Sequence, residues 1–206
     1  MKPLLRGHFH QEMFFIALGA FSVLLAKFTH SQNLLPLSIY AICTLTMFGV
    51  STLYHRVTWI EGRRLLWKKI DHAGIYLMIA GTFTPIALLA LDPVSGIKVL
   101  ITIWSVALVG IMQSIFFVNL PKFVSALLYL MAGYLILPYI SELIKNIGMM
   151  NVWLLIAGGV SYSLGAICYG LKWPKFNPKY FGYHEVFHLF VNLGAILHFI
   201  VISSMS

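Results

Sequence analysis

Acidic residues are scarce in this chain, six against fourteen lysines and arginines, and charged residues of both signs fill only 10% of its 206 positions. A soluble domain carries roughly a quarter charged residues to cover its water-facing surface. So thin a charge complement excludes an ordinary water-soluble globule and makes the bilayer the solvent. Cysteine is almost missing as well. Cys43 and Cys168 are the only two, and both lie inside apolar runs, so no disulfide framework is implied and they read as small packing residues. No internal repeat and no low-complexity stretch stands out.

What is abundant is hydrocarbon: 60% of the residues are hydrophobic and the mean hydropathy is +0.87. A membrane-crossing helix needs about 20 predominantly apolar residues. Seven runs approach that length: 11–27, 34–54, 70–91, 97–118, 123–140, 152–171 and 184–203. Turn or charge signals separate them: His30–Asn33, the Arg56–Lys69 block, Asp92-Pro93, Asn119-Leu120-Pro121, Ser141–Asn151 and Lys172–Tyr183. The expected fold is therefore all-α, an integral membrane bundle of seven transmembrane helices forming one domain over residues 1–206. The first run is short enough to suggest a signal-peptide core, but no small-x-small cleavage site ends it and Lys27 can snorkel from a true helix end. Pro85 and Pro138 each remove a backbone donor and are expected to kink or end their helices. Gly74 and Gly81, and the pair Ser161-x-x-x-Gly165, read as small-residue rows for close helix packing.

The net charge of +8 does not call for a nucleic acid, because the basic residues sit between the apolar runs, where they act as topology signals and meet lipid headgroups. Counted over alternating connections, one side holds Lys2, Arg6, Arg56, Arg63, Arg64, Lys68, Lys69, Lys122, Lys172, Lys175 and Lys179, and the other holds Lys27, Lys98 and Lys145. The positive-inside rule then places the N-terminus in the cytoplasm and the C-terminus outside.

Ionisable residues are expensive in hydrocarbon and usually mark function there. In this chain they collect at one depth. Ser51 and His55 end the second run, Asp71 and His72 begin the third, and His184, Glu185 and His188 begin the last. The pairs Ser51/His55 and His184/His188 are each four residues apart, so each shares a helix face. Two imidazoles at i and i+4 can hold one metal ion from the same side. With His55 from a neighbouring helix they would give three nitrogen ligands and an open position, the pattern of a catalytic zinc rather than of a closed structural site. Asp71 could be a fourth ligand, or could hold the water in the open position and take its proton; Ser51 could orient Asp71 or a substrate carbonyl. The bland alternatives are histidines at headgroup level, a chance His-x-x-x-His, and an aspartate that merely caps a helix. His184-Glu185-Val186-Phe187-His188 also spells the metalloprotease sequence H-E-x-x-H, in which the glutamate is general base, yet no acidic residue follows it to supply a further ligand. Glu185 is expected to turn towards loop or headgroup, about 100° around the helix from His184. His8, His10 and His30 lie in termini or loops and are expected to be solvated, while His198 and Gln113 are expected to hydrogen-bond within the bundle.

At these positions the sequence resembles the hemolysin III family, which belongs with the progestin and adipoQ receptors, including the adiponectin receptors, and more distantly with the alkaline ceramidases. The stretches that carry the likeness are Ser51-Thr-Leu-Tyr-His55-Arg56, Asp71 through Pro85 (DHAGIYLMIAGTFTP), and Gly182-Tyr-His184-Glu-Val-Phe-His188; Leu5-Arg6-Gly7-His8-Phe9-His10-Gln11 looks like one branch of the family. The resemblance implies a seven-helix bundle around a zinc ion held by His55, His184 and His188, with Asp71 reaching it through water and Ser51 supporting the site. It further implies residence in the inner membrane of a bacterium and contact with membrane lipids. The leading expectation is a zinc-dependent, ceramidase-like hydrolase of a lipid amide or ester, acting on a substrate held in a cavity among the helices and serving membrane lipid homeostasis. A non-catalytic, zinc-stabilised membrane sensor is the alternative. A pore-forming cytolysin and an intramembrane metalloprotease rank below both.

Overall fold

The structure is a computed structural model and describes residues 3–177 and 179–205; Lys2, counted above among the cytoplasmic charges, lies outside them. Among the described residues the regular structure is helical: α1 (His8–Lys27), α2 (Leu34–Arg56), α3 (Glu61–Leu89), α4 (Pro93–Phe116), α5 (Lys122–Gly133), a 3₁₀ segment (Tyr134–Tyr139), α6 (Ile140–Leu171) and α7 (Tyr183–Met205). Six helical stretches are long and apolar enough to cross a membrane, one of them the continuous run Lys122–Leu171. Their outward faces are hydrocarbon: Phe15, Ile16, Val23, Ile42, Ile101 and Val109 are 62–67% exposed. Such a surface would associate in water and is at rest only among lipid tails.

α3 is the axial element, touching α2, α4, α5 and α7, while α1 closes the ring between α2 and α7 and α6 packs on α5 and α7. It also begins much earlier than expected. The Arg56–Lys69 block, read from sequence as a connector, is helical from Glu61, because its lysines, arginines and leucines are good helix formers. Asp71 and His72 consequently sit nearly three turns inside α3, and Asp71 cannot be a helix cap. Pro85 is carried within α3, which continues to Leu89; Pro138 lies in the 3₁₀ segment. The stretch Ser141–Asn151, also expected to be a connector, is helical apart from Gly148, whose φ of 80° and ψ of 158° interrupt the ladder. Only glycine occupies such a backbone geometry without strain. On either side of it the chain folds back on itself. A Cβ built at Gly170 would meet Phe123 Cα at 3.6 Å, and the hydroxyls of Tyr134 and Ser163 are hydrogen-bonded.

The small-residue rows are packing positions. Gly81 lies against Cys43 and Gly74 against Met47 at the α2–α3 contact, and Gly165 against Phe190 at the α6–α7 contact, where Ser161 also donates to the Phe190 carbonyl at 2.8 Å. Helices in lipid are held together by such van der Waals approach. A Cβ at Gly81 would fall 2.3 Å from Cys43 Cβ, so Gly81→Ala must push α2 away from α3. We expect it to lower stability by about 1–3 kcal/mol, the usual cost of overpacking, measured by thermal unfolding in detergent. Cys43→Gly should restore part of the loss; a wild-type melting temperature for Gly81→Ala would show that the two helices do not meet there.

Candidate metal centre and cavity

Asp71 stands ten residues into α3, and imidazoles from α2 and α7 gather beside it. His55 comes from the last turn of α2, and His184 and His188 from the first two turns of α7. Each offers one ligand atom, and those atoms all lie within 4.8 Å of one another. His184 Nε2 stands 3.2 Å from His55 Nε2, and His55 Nε2 stands 3.6 Å from a carboxylate oxygen of Asp71. All three imidazoles are buried. His184 Nδ1 and His188 Nδ1 are buried without a hydrogen-bond partner, which is costly for a polar atom in so dry a place. Three convergent nitrogens with unsatisfied ring atoms fit a divalent transition metal. These histidines lie close enough to hold one.

Ser51, one turn before His55, is buried. Its hydroxyl shares a hydrogen bond of 2.9 Å with His10 Nδ1, and the residue lines the same cavity as Asp71. All five residues singled out in the sequence therefore meet in one place. His72 faces Tyr129, whose hydroxyl is 3.3 Å from its Nδ1.

One sequence expectation fails here. His10 is not solvated. It is 2% exposed and stacks face to face on His188, with ring centroids 3.7 Å apart and planes 8° from parallel. The reason is that α1 starts at His8, three residues before the apolar run, so His10 is already inside the bundle; its four-residue spacing to Phe14 on the inner side was the signal available. Glu185 turns towards the loop, as expected, and is 0% exposed there. Arg6 Nε–H donates to one of its oxygens, and the Gly182 amide donates to the other at 2.7 Å. The segment before α1 is thereby strapped over the site. Leu4 and Leu5 amides donate to the carbonyls of Lys179 and Tyr180, and Gly7, at φ +83°, lies so close that a Cβ would meet His55 Cβ at 2.7 Å. His8 and His30 remain at the periphery: His8 is partly exposed and contacts Arg56, and His30 is exposed. His198 pairs with the Leu155 carbonyl at 3.1 Å, and Gln113 accepts from the Tyr76 hydroxyl at 3.4 Å, so both serve the bundle as expected.

The histidine cluster lies at one end of a cavity of about 790 Å³. One stripe of α3 lines it, from Arg64 and Lys68 past Asp71 and His72 to Ile75, Ile79, Phe83 and Ile86. Leu143 and Val152 line it too, and neighbouring α6 residues reach the far end of α3, where Asn146 donates to the Ala90 carbonyl. The cavity thus runs from the polar mouth into an apolar bore, within the size range of small-molecule sites.

Sequence comparison shows which proteins the chain is similar to. Residues 1–199 match the family described as Haemolysin-III related. The chain is 34% identical over 174 residues to a protein named Hemolysin-3 from Bacillus cereus, covering 84% of this chain and 76% of that one. It is 33% identical over 174 residues to a Hemolysin-3 homolog from Bacillus subtilis strain 168, covering 84% and 78%. With six span-capable helices, it is an integral multi-pass protein of a bacterial cytoplasmic membrane, and it belongs to the hemolysin III family.

Proposed function

We propose that the chain crosses the membrane seven times, N-terminus in the cytoplasm and C-terminus outside, and that it is a zinc-dependent hydrolase of a lipid amide or ester. The reversal at Gly148, with Phe123 beside Gly170, supports reading the run Lys122–Leu171 as two crossings. The excess of lysine and arginine on one side supports the orientation.

One observation carries the activity: Asp71 lies 3.6 Å from His55, inside the cluster that includes His184 and His188, at the head of an apolar cavity. His55, His184 and His188 would hold the zinc, which supplies Lewis-acid polarisation of a carbonyl and acidifies water at neutral pH. Asp71 positions the attacking water and accepts its proton, later returning it to the leaving amine or alcohol. Ser51, between His10 and Asp71, orients that carboxylate. The apolar bore takes the acyl chain and keeps bulk water from the scissile bond.

Purified protein is expected to carry about one zinc per chain, and the His184→Ala, His188→Ala double variant none. The loaded protein should release fatty acid from a panel of lipid amides and esters, and Asp71→Ala should retain the metal and lose about 10²–10⁴-fold in rate. Turnover that is indifferent to Asp71→Ala would sink the hydrolase reading. The same closeness of α2 and α7 at the cluster favours a second reading, a membrane sensor whose zinc only ties helices together; zinc-replete protein inert across the panel, with a lowered melting temperature in His55→Ala, would select it.

A further inference from the structure

The mouth of the cavity carries more positive charge than topology requires. Arg6, Arg64, Lys68 and Lys122 all line it, and among the described lining residues Asp71 is the sole carboxylate. Arg6 is neutralised by Glu185. The others are not. Lys68 donates to the Asn119 side-chain carbonyl at 2.9 Å. Lys122 donates to the Tyr183 hydroxyl at 2.7 Å and sits 4.6 Å and 4.7 Å from the ring centroids of Tyr169 and Tyr183. Every one of these partners is neutral. Lys68 also lies close enough to Lys122 and Arg64 to feel their charges, so three like charges are gathered where they repel one another. Three of the other lysines counted on that side, Lys172, Lys175 and Lys179, are exposed. Lys68 and Lys122 are partly buried instead, and a desolvated cation without a counter-charge is stabilised by an anion brought to it.

The position of these cations along α3 fixes what they would read. Lys68 is three residues before Asp71, about 4.5 Å along the helix axis, while Ile86 is fifteen residues beyond Asp71, about 22 Å deeper. A ligand whose reacting carbonyl lies at Asp71 would therefore place its acyl chain in the bore and its headgroup, a few bonds away, beside Lys68 and Lys122. We propose that the ligand of this site is an amphiphile with one acyl chain and a small anionic headgroup, carboxylate or phosphate, held by Lys68 and Lys122. This inference rests on the hydrolase reading only for the place of the scissile bond; the binding preference stands without it.

The test is equilibrium binding to the purified full-length protein in neutral detergent. The probes are a lysophosphatidylglycerol, a long-chain fatty acid, a lysophosphatidylcholine of the same chain, and inorganic phosphate. The two anionic amphiphiles are expected to bind at least tenfold tighter than the lysophosphatidylcholine, and the K68Q/K122Q variant to lose that tenfold while binding the lysophosphatidylcholine as before and keeping the wild-type melting temperature and metal content. Fatty acid and lysophosphatidylglycerol against each other identify which headgroup is preferred. Equal affinity for the zwitterionic and anionic probes, an unchanged preference in K68Q/K122Q, or phosphate alone competing as well as the amphiphiles would overturn the proposal. Should a K68Q/K122Q protein prove unstable, the single K122Q variant, expected to lose at least threefold, decides. Anion preference without turnover would remove the hydrolase and leave this inference standing, and turnover of neutral lipid amides with no anion preference would do the reverse.

Discussion

Glu185→Ala is expected to destabilise the protein by about 3 kcal/mol, the lower end of the range for breaking a buried ion pair. The carboxylate is fully buried and satisfies two donors at once, the Arg6 guanidinium and the Gly182 amide. Its removal leaves the amide at the start of α7 unpaired and unties the segment strapped over the cluster. The effect falls at the lower end because the Arg6 side chain is 19% exposed and can swing into water, so its charge need not stay desolvated. Thermal unfolding in detergent measures the loss, and proteolysis at residues 3–7 measures the release of the strap. Glu185→Gln keeps an acceptor for the Gly182 amide and should lose roughly half as much. The opposite pattern, wild-type stability with abolished peptide cleavage in Glu185→Gln, would mean that H-E-x-x-H is used as in the soluble metalloproteases. The geometry argues against that use, since both oxygens of Glu185 are engaged away from the histidine nitrogens.

The helical bundle was legible because its solvent wrote it. Runs of about 20 apolar residues and small residues at helix spacing need no tertiary information to be read, and Gly81 against Cys43 or Gly165 against Phe190 simply realise them. The site was legible for a related reason. Polar groups in lipid are costly enough that Ser51, His55, Asp71, His184 and His188 stand out against their apolar surroundings. What escaped was whatever lay in segments of ordinary polarity. The start of α3 reads as a basic connector because its charged residues line the mouth and meet headgroups rather than lipid tails, yet it is helix from Glu61. Ser141–Asn151 reads as a connector between two spans, and only the backbone shows that the break is confined to Gly148 while the rest of the stretch is helix. Arg6 and Glu185 are 179 residues apart, and each looks like a surface residue until the chain closes. His10 was lost through the same cause, three residues of helix placed before the apolar run.

His10 also yields the sharpest expectation about the site. It is a positioning residue, touching the cluster through two contacts of different character, the face-to-face stack on His188 and the hydrogen bond to Ser51. Partners that hold a metal-binding histidine in place typically contribute 10–100-fold in metal affinity or activity, and His10 would play that part beside the proposed zinc. The two contacts can be separated. His10→Phe keeps a ring against His188 but leaves the Ser51 hydroxyl without its partner, in a place where an unmade hydrogen bond costs about 1–3 kcal/mol. His10→Asn keeps a polar partner for Ser51 and removes the stack. If the stack holds the His188 ring in its orientation, His10→Asn should weaken zinc affinity by about 10–100-fold while His10→Phe leaves it near wild type. If the hydroxyl is what His10 serves, through Ser51 to Asp71, then His10→Phe should bind zinc normally and lose turnover, with His10→Asn restoring part of it. Competition with a chelating dye reads the first quantity and fatty-acid release the second, and a merely structural role would lower the melting temperature of both variants without moving either. Zinc affinity and turnover both at the wild-type level in His10→Phe and His10→Asn would show that α1 only closes the bundle, and that the centre is built by α2, α3 and α7 alone.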